Sequence, residues 1–322
     1  MRGRPVSGAR HDSQRERNMY DIIVVGGGPA GMTAALYGLR NGKSVLVIEK
    51  QGFGGQITYS PRVENIPGSL SLSGNEFADK FLEQILEQGA EVELEEVTGI
   101  KDEGDRKTVE TAEGSTFEGK TVIIATGVKH RMLGLPGEKE LVGEGISFCA
   151  VCDGDFYKGK VVCVAGGGNS ALQEAILLAD KAERLIMLQD LPYYTGEQRL
   201  QDVLFSKPNV SGHVGTKINS LITDDGVLRG VEIEDRETGE TEVIGCDGLF
   251  VAIGLIPENG PFENLADLNK YGYFDSGEDC TTKTPGVFIA GDCRSKFIRQ
   301  VTTACADGAV AALAACDYIN KN

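Results

Sequence analysis

Short apolar runs that stop at a glycine or an acid recur along the chain. The first, Ile22–Val25, is wholly β-branched and meets Gly26; an Ala- and Leu-rich stretch follows, and a second run, Ser44 to Ile48, ends at Glu49. Such a run, then a glycine turn, a helix-like segment and a further run predict a strand–helix–strand unit. The order repeats at 160–190, with a strand over Val161–Ala165, a helix, and a strand over Leu185–Leu188 leading into Gln189 and Asp190. Two more runs, TVIIATG (121–127) and GLFVAIG (248–254), also stop at a glycine, and a third leads to Gly291-Asp292 before a helix rich in small residues. The predicted fold class is α/β, with two Rossmann-like dinucleotide-binding domains. The strand ends near 127 and 254 suggest that each unit closes with a strand and passes the chain to the other. The second domain, 131–258, is then inserted into a discontinuous first one, 19–130 with 259–322.

The glycines give both units a ligand chemistry. Gly26, Gly28 and Gly31 form G-x-G-x-x-G. The first permits a tight turn, the second lets backbone approach a pyrophosphate, and the third lets helix pack on strand. The helix N-terminus presents its partial positive charge to phosphate. Glu49 falls 18 residues after Gly31, near the place of a ribose-binding carboxylate. In the second unit Gly166, Gly168 and Ala171 give G-x-G-x-x-A, and Asp190 is the acid after its second strand. A turn that packs helix on strand and holds no ligand is the competing reading, stronger for the second copy.

Charge and composition narrow the partners. The net charge of −16 argues against nonspecific nucleic-acid binding and attraction to an anionic membrane. No apolar run approaches the roughly 20 residues of a membrane span. Residues 1–18 hold five arginines and no apolar h-region, so they read as a disordered basic tail, a vector remnant or a misassigned start, and not a signal peptide. Eight cysteines without a secretion signal fit a reducing, cytoplasmic setting.

Two of those cysteines, Cys149 and Cys152, lie in SFCAVCDGDF, with Asp153 directly after them. A zinc site needs four protein ligands, or three and water. With no second C-x-x-C and only three histidines in the chain, no metal site is expected. A two-residue spacer lets the sulfurs close a small ring, so oxidised and reduced forms are both accessible, and such motifs can lower one thiol pKa. Asp153 is placed either to relay protons or simply to cap a turn. Cys163, Cys246, Cys280, Cys293, Cys305 and Cys316 sit mostly in apolar or small-residue surroundings and read as packing residues.

Taken in order, GGGPAG, GGQITYSPRVENIPG (54–68), ATG, CAVCDG, GGGNSA and GVFIAGDCRSKFIRQ resemble the low-molecular-weight bacterial thioredoxin reductases over about 19–322. The resemblance implies an FAD domain, an inserted pyridine-nucleotide domain carrying the redox pair, a homodimer, and electron flow from FAD through the cysteines to thioredoxin. It implies FAD contacts at Gly26, Gly28, Gly31, Glu49, Gly55, Gln56, Asn65, Asp292, Arg299, Gln300 and Val301. Cys152 would be the flavin-proximal thiol, Cys149 the one that attacks thioredoxin, and Asp153 the acid/base. In the family the second domain rotates to present the pair alternately to flavin and thioredoxin.

One segment departs from the pattern. NADPH-using members follow the second strand with an HRRDEFR-like stretch, whereas this chain has QDLPYYT (189–195), with Asp190, Leu191 and Thr195 where arginines would stand. A phosphate near a carboxylate without a guanidinium fork is repelled, so NADPH should be a poor donor. NADH, with Asp190 on its ribose, and ferredoxin, with the nucleotide site decayed, both remain as donors. Gly166, Gly168 and Ala171 favour the first; loss of the arginines favours the second. An oxygen-dependent dithiol oxidase and a non-enzymatic flavin-bound sensor are the competing functions.

Overall fold

The structure, a computed structural model, describes residues 19–60 and 62–322; the expected N-terminal tail, 1–18, lies outside the described residues. The first unit opens with β1 (Tyr20–Val25), α1 (Pro29–Arg40) and β2 (Val45–Glu49). It continues through α2 (Gly74–Glu87), β3 (Glu91–Leu94), β4 (Val97–Asp102), β5 (Lys107–Thr111) and β6 (Thr116–Ile124). Pro29 starts α1, where its missing N–H has no helical partner to lose. Ser73 and Glu76 cap α2 reciprocally.

The chain then crosses through β7 (Lys129–His130) into the second unit, which begins with β8 (Ile146–Ser147), α3 (Ala150–Asp153), β9 (Val161–Ala165) and α4 (Asn169–Ala179). There follow β10 (Arg184–Gln189), α5 (Gln198–Phe205), β11 (Val210–Val214), β12 (Thr216–Asp224), β13 (Val227–Asp235), β14 (Thr241–Gly245) and β15 (Gly248–Val251). It returns through β16 (Leu255–Ile256) to β17 (Val287–Ile289) and α6 (Val301–Lys321). The two crossings pair with each other, Leu255 opposite His130, as a short antiparallel ribbon between the units.

Both large sheets follow one plan. In the first, β3-β2-β1-β6 run parallel, and the nine-residue β6 divides its other edge between two partners. Residues 116–119 pair antiparallel with β5, and 122–124 pair in parallel with β17. In the second, β11-β10-β9-β15-β8 are all parallel, and β12–β14 form a separate antiparallel sheet. Thus β8 takes the place beside β15 that β17 takes beside β6, although it precedes the rest of its unit in the chain.

Burial on both faces explains the uninterrupted apolar runs. Ile22 and Val24 of β1 face the helices, in one cluster with Met32, Ala311 and Ala315, whereas Ile23 and Val25 face Phe262, Leu265 and Phe274. Helices α1 and α6 approach closely because Gly308 lacks a side chain: a Cβ there would lie 2.1 Å from Ala30 O. Gly308→Ala should therefore cost about 1–3 kcal/mol through overpacking, read as a lower urea midpoint with an unchanged slope. Among the described residues, no helix is long and apolar enough to cross a membrane.

Candidate active site: a redox turn and two glycine turns

The redox turn is built by a few polar contacts. Cys149 occupies the position before α3, with extended backbone, and its Sγ accepts the Cys152 N–H at 3.1 Å. The two sulfurs are joined as a disulfide. Ser147, at the end of β8, donates from Oγ to Asp153 Oδ2 at 2.6 Å and accepts the Cys149 N–H at 3.1 Å. Burial pushes the Asp153 carboxyl above its usual range, against the lowering effect of the Ser147 bond. Its Oδ1 is buried without a hydrogen-bond partner. A carboxyl so placed holds a proton more readily than an exposed one.

The turn also touches both the crossing and the first unit. His130 of β7 stacks on Phe148, next to Cys149, with ring centres 4.5 Å apart. Burial lowers its pKa to about 4, so it packs there as a neutral ring. Arg62 of the first unit lies over the Phe156 ring at 5.4 Å. The remaining cysteines are free; Cys163, Cys246, Cys280, Cys293 and Cys316 are buried and Cys305 is half-buried.

The first glycine turn is tight for steric reasons. Gly26 has φ +110°, and a Cβ on it would meet Ala125 O at 2.4 Å; a Cβ on Gly31 would lie 1.8 Å from Gly26 O. Glu49 ends β2 and accepts the Gly27 N–H at 2.7 Å, which fixes its carboxylate beside the turn. The loop after β2 closes over the same place, with Gly54 N–H donating to Gly27 O at 2.8 Å and a Cβ on Gly55 reaching Gly28 Cα at 3.4 Å. Gln56 follows Gly55 in a short 3-10 turn. Asn65 donates to Gln300 Oε1 at 3.1 Å, joining this loop to the residue that caps α6, whose first residue is Val301.

Asp292 follows β17. Its Oδ1 is buried and has no hydrogen-bond partner, although Lys296 lies 3.4 Å away as an ion pair. Burial pushes its carboxyl up, and Lys296 and Arg299 oppose the shift. Arg299 donates to Asp292 O at 3.3 Å and stacks over Tyr273 at 4.3 Å. A buried acceptor without a donor, a glycine turn open to backbone approach and a carboxylate at the end of β2 fit the hydroxyls and pyrophosphate of FAD.

The second glycine turn repeats the backbone but not the polar groups. Gly166 has φ +126°, and its Cβ would meet Ala252 O at 2.4 Å, as at Gly26. Gly168 precedes α4 as Gly28 precedes α1, and Ala171 is fully buried. The residue that ends β10 and covers this turn is Gln189: a Cβ on Gly167 would strike its Cδ at 2.6 Å. Asp190, expected as the ribose acid, instead turns outward to an ion pair with Arg236 from the end of the β13–β14 hairpin. A carboxylate one residue beyond the strand end points away from the turn because side chains alternate along a strand. The first residue of α4 is tied to the loop after β10: Asn169 Oδ1 accepts the Glu197 N–H at 2.7 Å, and Asn169 Nδ2 donates to the Glu197 carboxylate at 3.1 Å.

Ser147, Gln189 and Arg236 are therefore site residues that the sequence reading missed. Gln189 was within its reach, since it stands at the strand end as Glu49 does. Arg236 was not, because a hairpin 46 residues away supplies it.

The chain is similar to known proteins over nearly its whole length. The family model described as pyridine nucleotide-disulphide oxidoreductase matches residues 20–308. A thioredoxin reductase of Bacillus subtilis is 38% identical over 306 residues, covering 95% of this chain and 96% of the relative. A 34.2 kDa protein in a rubredoxin operon of Clostridium pasteurianum is 39% identical, covering 95% of this chain and 99% of that protein. The crystal structure of thioredoxin reductase from Streptococcus pyogenes superposes with a TM-score of 0.90 at 36% identity, covering 95% of this chain and all of that one. A match of this length, on a fold whose two units and redox turn are all present, settles the family: the chain belongs to the pyridine nucleotide-disulphide oxidoreductases and is a flavoprotein disulfide reductase of the thioredoxin reductase type.

Proposed function

We propose that the protein reduces the disulfide of thioredoxin through Cys149 and Cys152, and that its electrons come from a one-electron carrier such as ferredoxin. The second glycine turn supports the choice of donor. The residue facing it is the neutral Gln189, Asp190 is paired with Arg236, and Glu197 puts a carboxylate beside the α4 N-terminus. An NADH ribose finds no carboxylate aimed at it, and an NADPH phosphate finds a guanidinium already neutralised. The Clostridium relative is named as a 34.2 kDa protein in a rubredoxin operon.

Bound FAD would supply electron storage between donor and disulfide, held by Gly26, Gly28, Gly31, Glu49, Gly55, Gln56, Asn65, Asp292, Arg299, Gln300 and Val301. The chain's own part is thiol chemistry. Once reduced, Cys149 attacks one sulfur of the thioredoxin disulfide, and Cys152 then attacks Cys149 to release reduced thioredoxin and close the pair. Asp153, oriented by Ser147, holds the proton that the sulfurs exchange.

The test combines the enzyme and thioredoxin with photoreduced ferredoxin, NADH or NADPH in turn. Turnover is expected with ferredoxin. Turnover only with NADH overturns the donor reading, and oxygen-dependent dithiol oxidation without thioredoxin reduction overturns the function. Asp190→Ala frees Arg236 and should tighten NADP⁺ binding about tenfold, or 1.4 kcal/mol, by calorimetry. We further expect a homodimer, checked by sedimentation equilibrium.

A further inference from the structure

Opening the Cys149–Cys152 bond with an electron pair yields two thiols and takes up two protons, one for each sulfur. Asp153 can bring one. A second buried carboxylate lies under the same turn. Glu174 sits in the middle of α4, the helix on which α3 packs. The backbone N–H of Ala150, the residue that follows Cys149, acts on its carboxyl and lowers its pKa. Glu174 Oε2 is buried with no hydrogen-bond partner, as is Oδ1 of Asp153. Two buried, unpartnered carboxylate oxygens on the packed helices α3 and α4 are costly if both are ionised, and one shared proton relieves the cost.

We propose that Glu174 is the second proton holder of the redox turn, a positioning residue, on the helix that packs against α3, that keeps a proton beside Asp153. When the disulfide opens, the carboxylate pair gives its shared proton to the leaving sulfur, and the second proton comes from solvent. When the dithiol closes on a substrate disulfide, the protons leave with the substrate thiols and the pair is recharged from solvent. Surrounding electrostatics agree with this placement. Burial first, and the charge of Asp153 second, raise the Glu174 pKa to about 7, against the lowering effect of the Ala150 N–H. From the elements packed nearby, Tyr157 is itself pushed up to about 12 by burial and by Asp153, and Asp155 is tied to Lys181 at 2.7 Å.

The inference rests on the reading of Asp153 as the acid of this turn, and the experiment separates the two. Oxidised holoenzyme is opened with dithiothreitol, quenched by alkylation at intervals, and the rate is corrected for the thiolate fraction of the reagent. This needs neither thioredoxin nor an electron donor. The corrected rate should fall severalfold, up to about tenfold, from pH 6 to pH 8 in one step near pH 7, as the pair loses its proton. Glu174→Gln retains a carbonyl for the Ala150 N–H and should be flat at the low level. Asp153→Asn should be slower throughout but keep the step. A step retained in Glu174→Gln overturns the inference. A flat Glu174→Gln profile with Asp153→Asn unchanged upholds it and removes Asp153 instead. Should Glu174→Gln fail to fold, infrared difference spectra of the unaltered holoenzyme decide. A protonated-carboxyl band that titrates near pH 7 and responds to disulfide reduction supports Glu174, and its absence at pH 5.5 overturns the assignment.

Discussion

Cys152→Ser and Cys149→Ser should each lower donor-driven thioredoxin reduction by at least about 10³-fold, or ~4 kcal/mol in the barrier, while FAD stays bound. Neither thiol has a substitute. Cys163 is fully buried and its thiol is pushed up by its hydrogen bond to Cys246 and by burial. Burial also raises Cys280 and Cys293 to about 11. Such thiols are protonated at neutral pH and inert in exchange. The two variants should nonetheless differ. With Cys152 replaced, Cys149 can attack thioredoxin but nothing resolves the product, so a covalent mixed disulfide accumulates on a non-reducing gel. With Cys149 replaced, no such complex forms. A complex trapped by Cys149→Ser and not by Cys152→Ser would reverse the roles assigned to the two sulfurs.

The second large effect is expected at the first glycine turn. Gly31→Val should yield folded protein without flavin, or protein that does not fold. A Cβ at this position lies 1.8 Å from Gly26 O, which is backbone and cannot rotate aside. Moving the turn displaces the helix N-terminus and the Gly28 backbone, the two features that bind a pyrophosphate. The same position in the second turn is already Ala171, so Ala171→Gly should change flavin content little. Flavin absorbance per protein after reconstitution with excess FAD reads both. A Gly31→Val protein with full flavin would show that the turn is not the cofactor's anchor.

Much of this architecture was legible because burial leaves a local trace. Strands covered on both faces must be apolar throughout, so β1, β2, β9 and β10 stand out as runs. Glycines at fixed spacing mark turns where a Cβ would collide with backbone, and Gly26 and Gly166 bear the same collision 140 residues apart. The redox pair was legible because three residues of separation suffice to bring two sulfurs together. Asp190 pairs with Arg236 for a local reason too: the residue that covers the turn is the last one of the strand, Gln189, and its neighbour points the other way.

What remained hidden depends on residues distant in the chain. Arg236 reaches Asp190 from a hairpin, Glu174 reaches Ala150 from a neighbouring helix, and Asn65 reaches Gln300 across 235 positions. None of these leaves a spacing signal, because an ion pair or hydrogen bond between distant segments constrains geometry and not sequence separation. The strand β8 is another case: two residues occupy the fifth place in the second sheet from ahead of their own unit, a choice made by packing against β15. By itself, then, the sequence determined two dinucleotide folds, a redox pair and the family resemblance, all of which rest on local patterns of burial, turn geometry and short-range reach. Only the tertiary structure decided which acids face the glycine turns and which carboxylates are buried on the helices around the redox pair, because burial and partner choice arise only when separate elements pack.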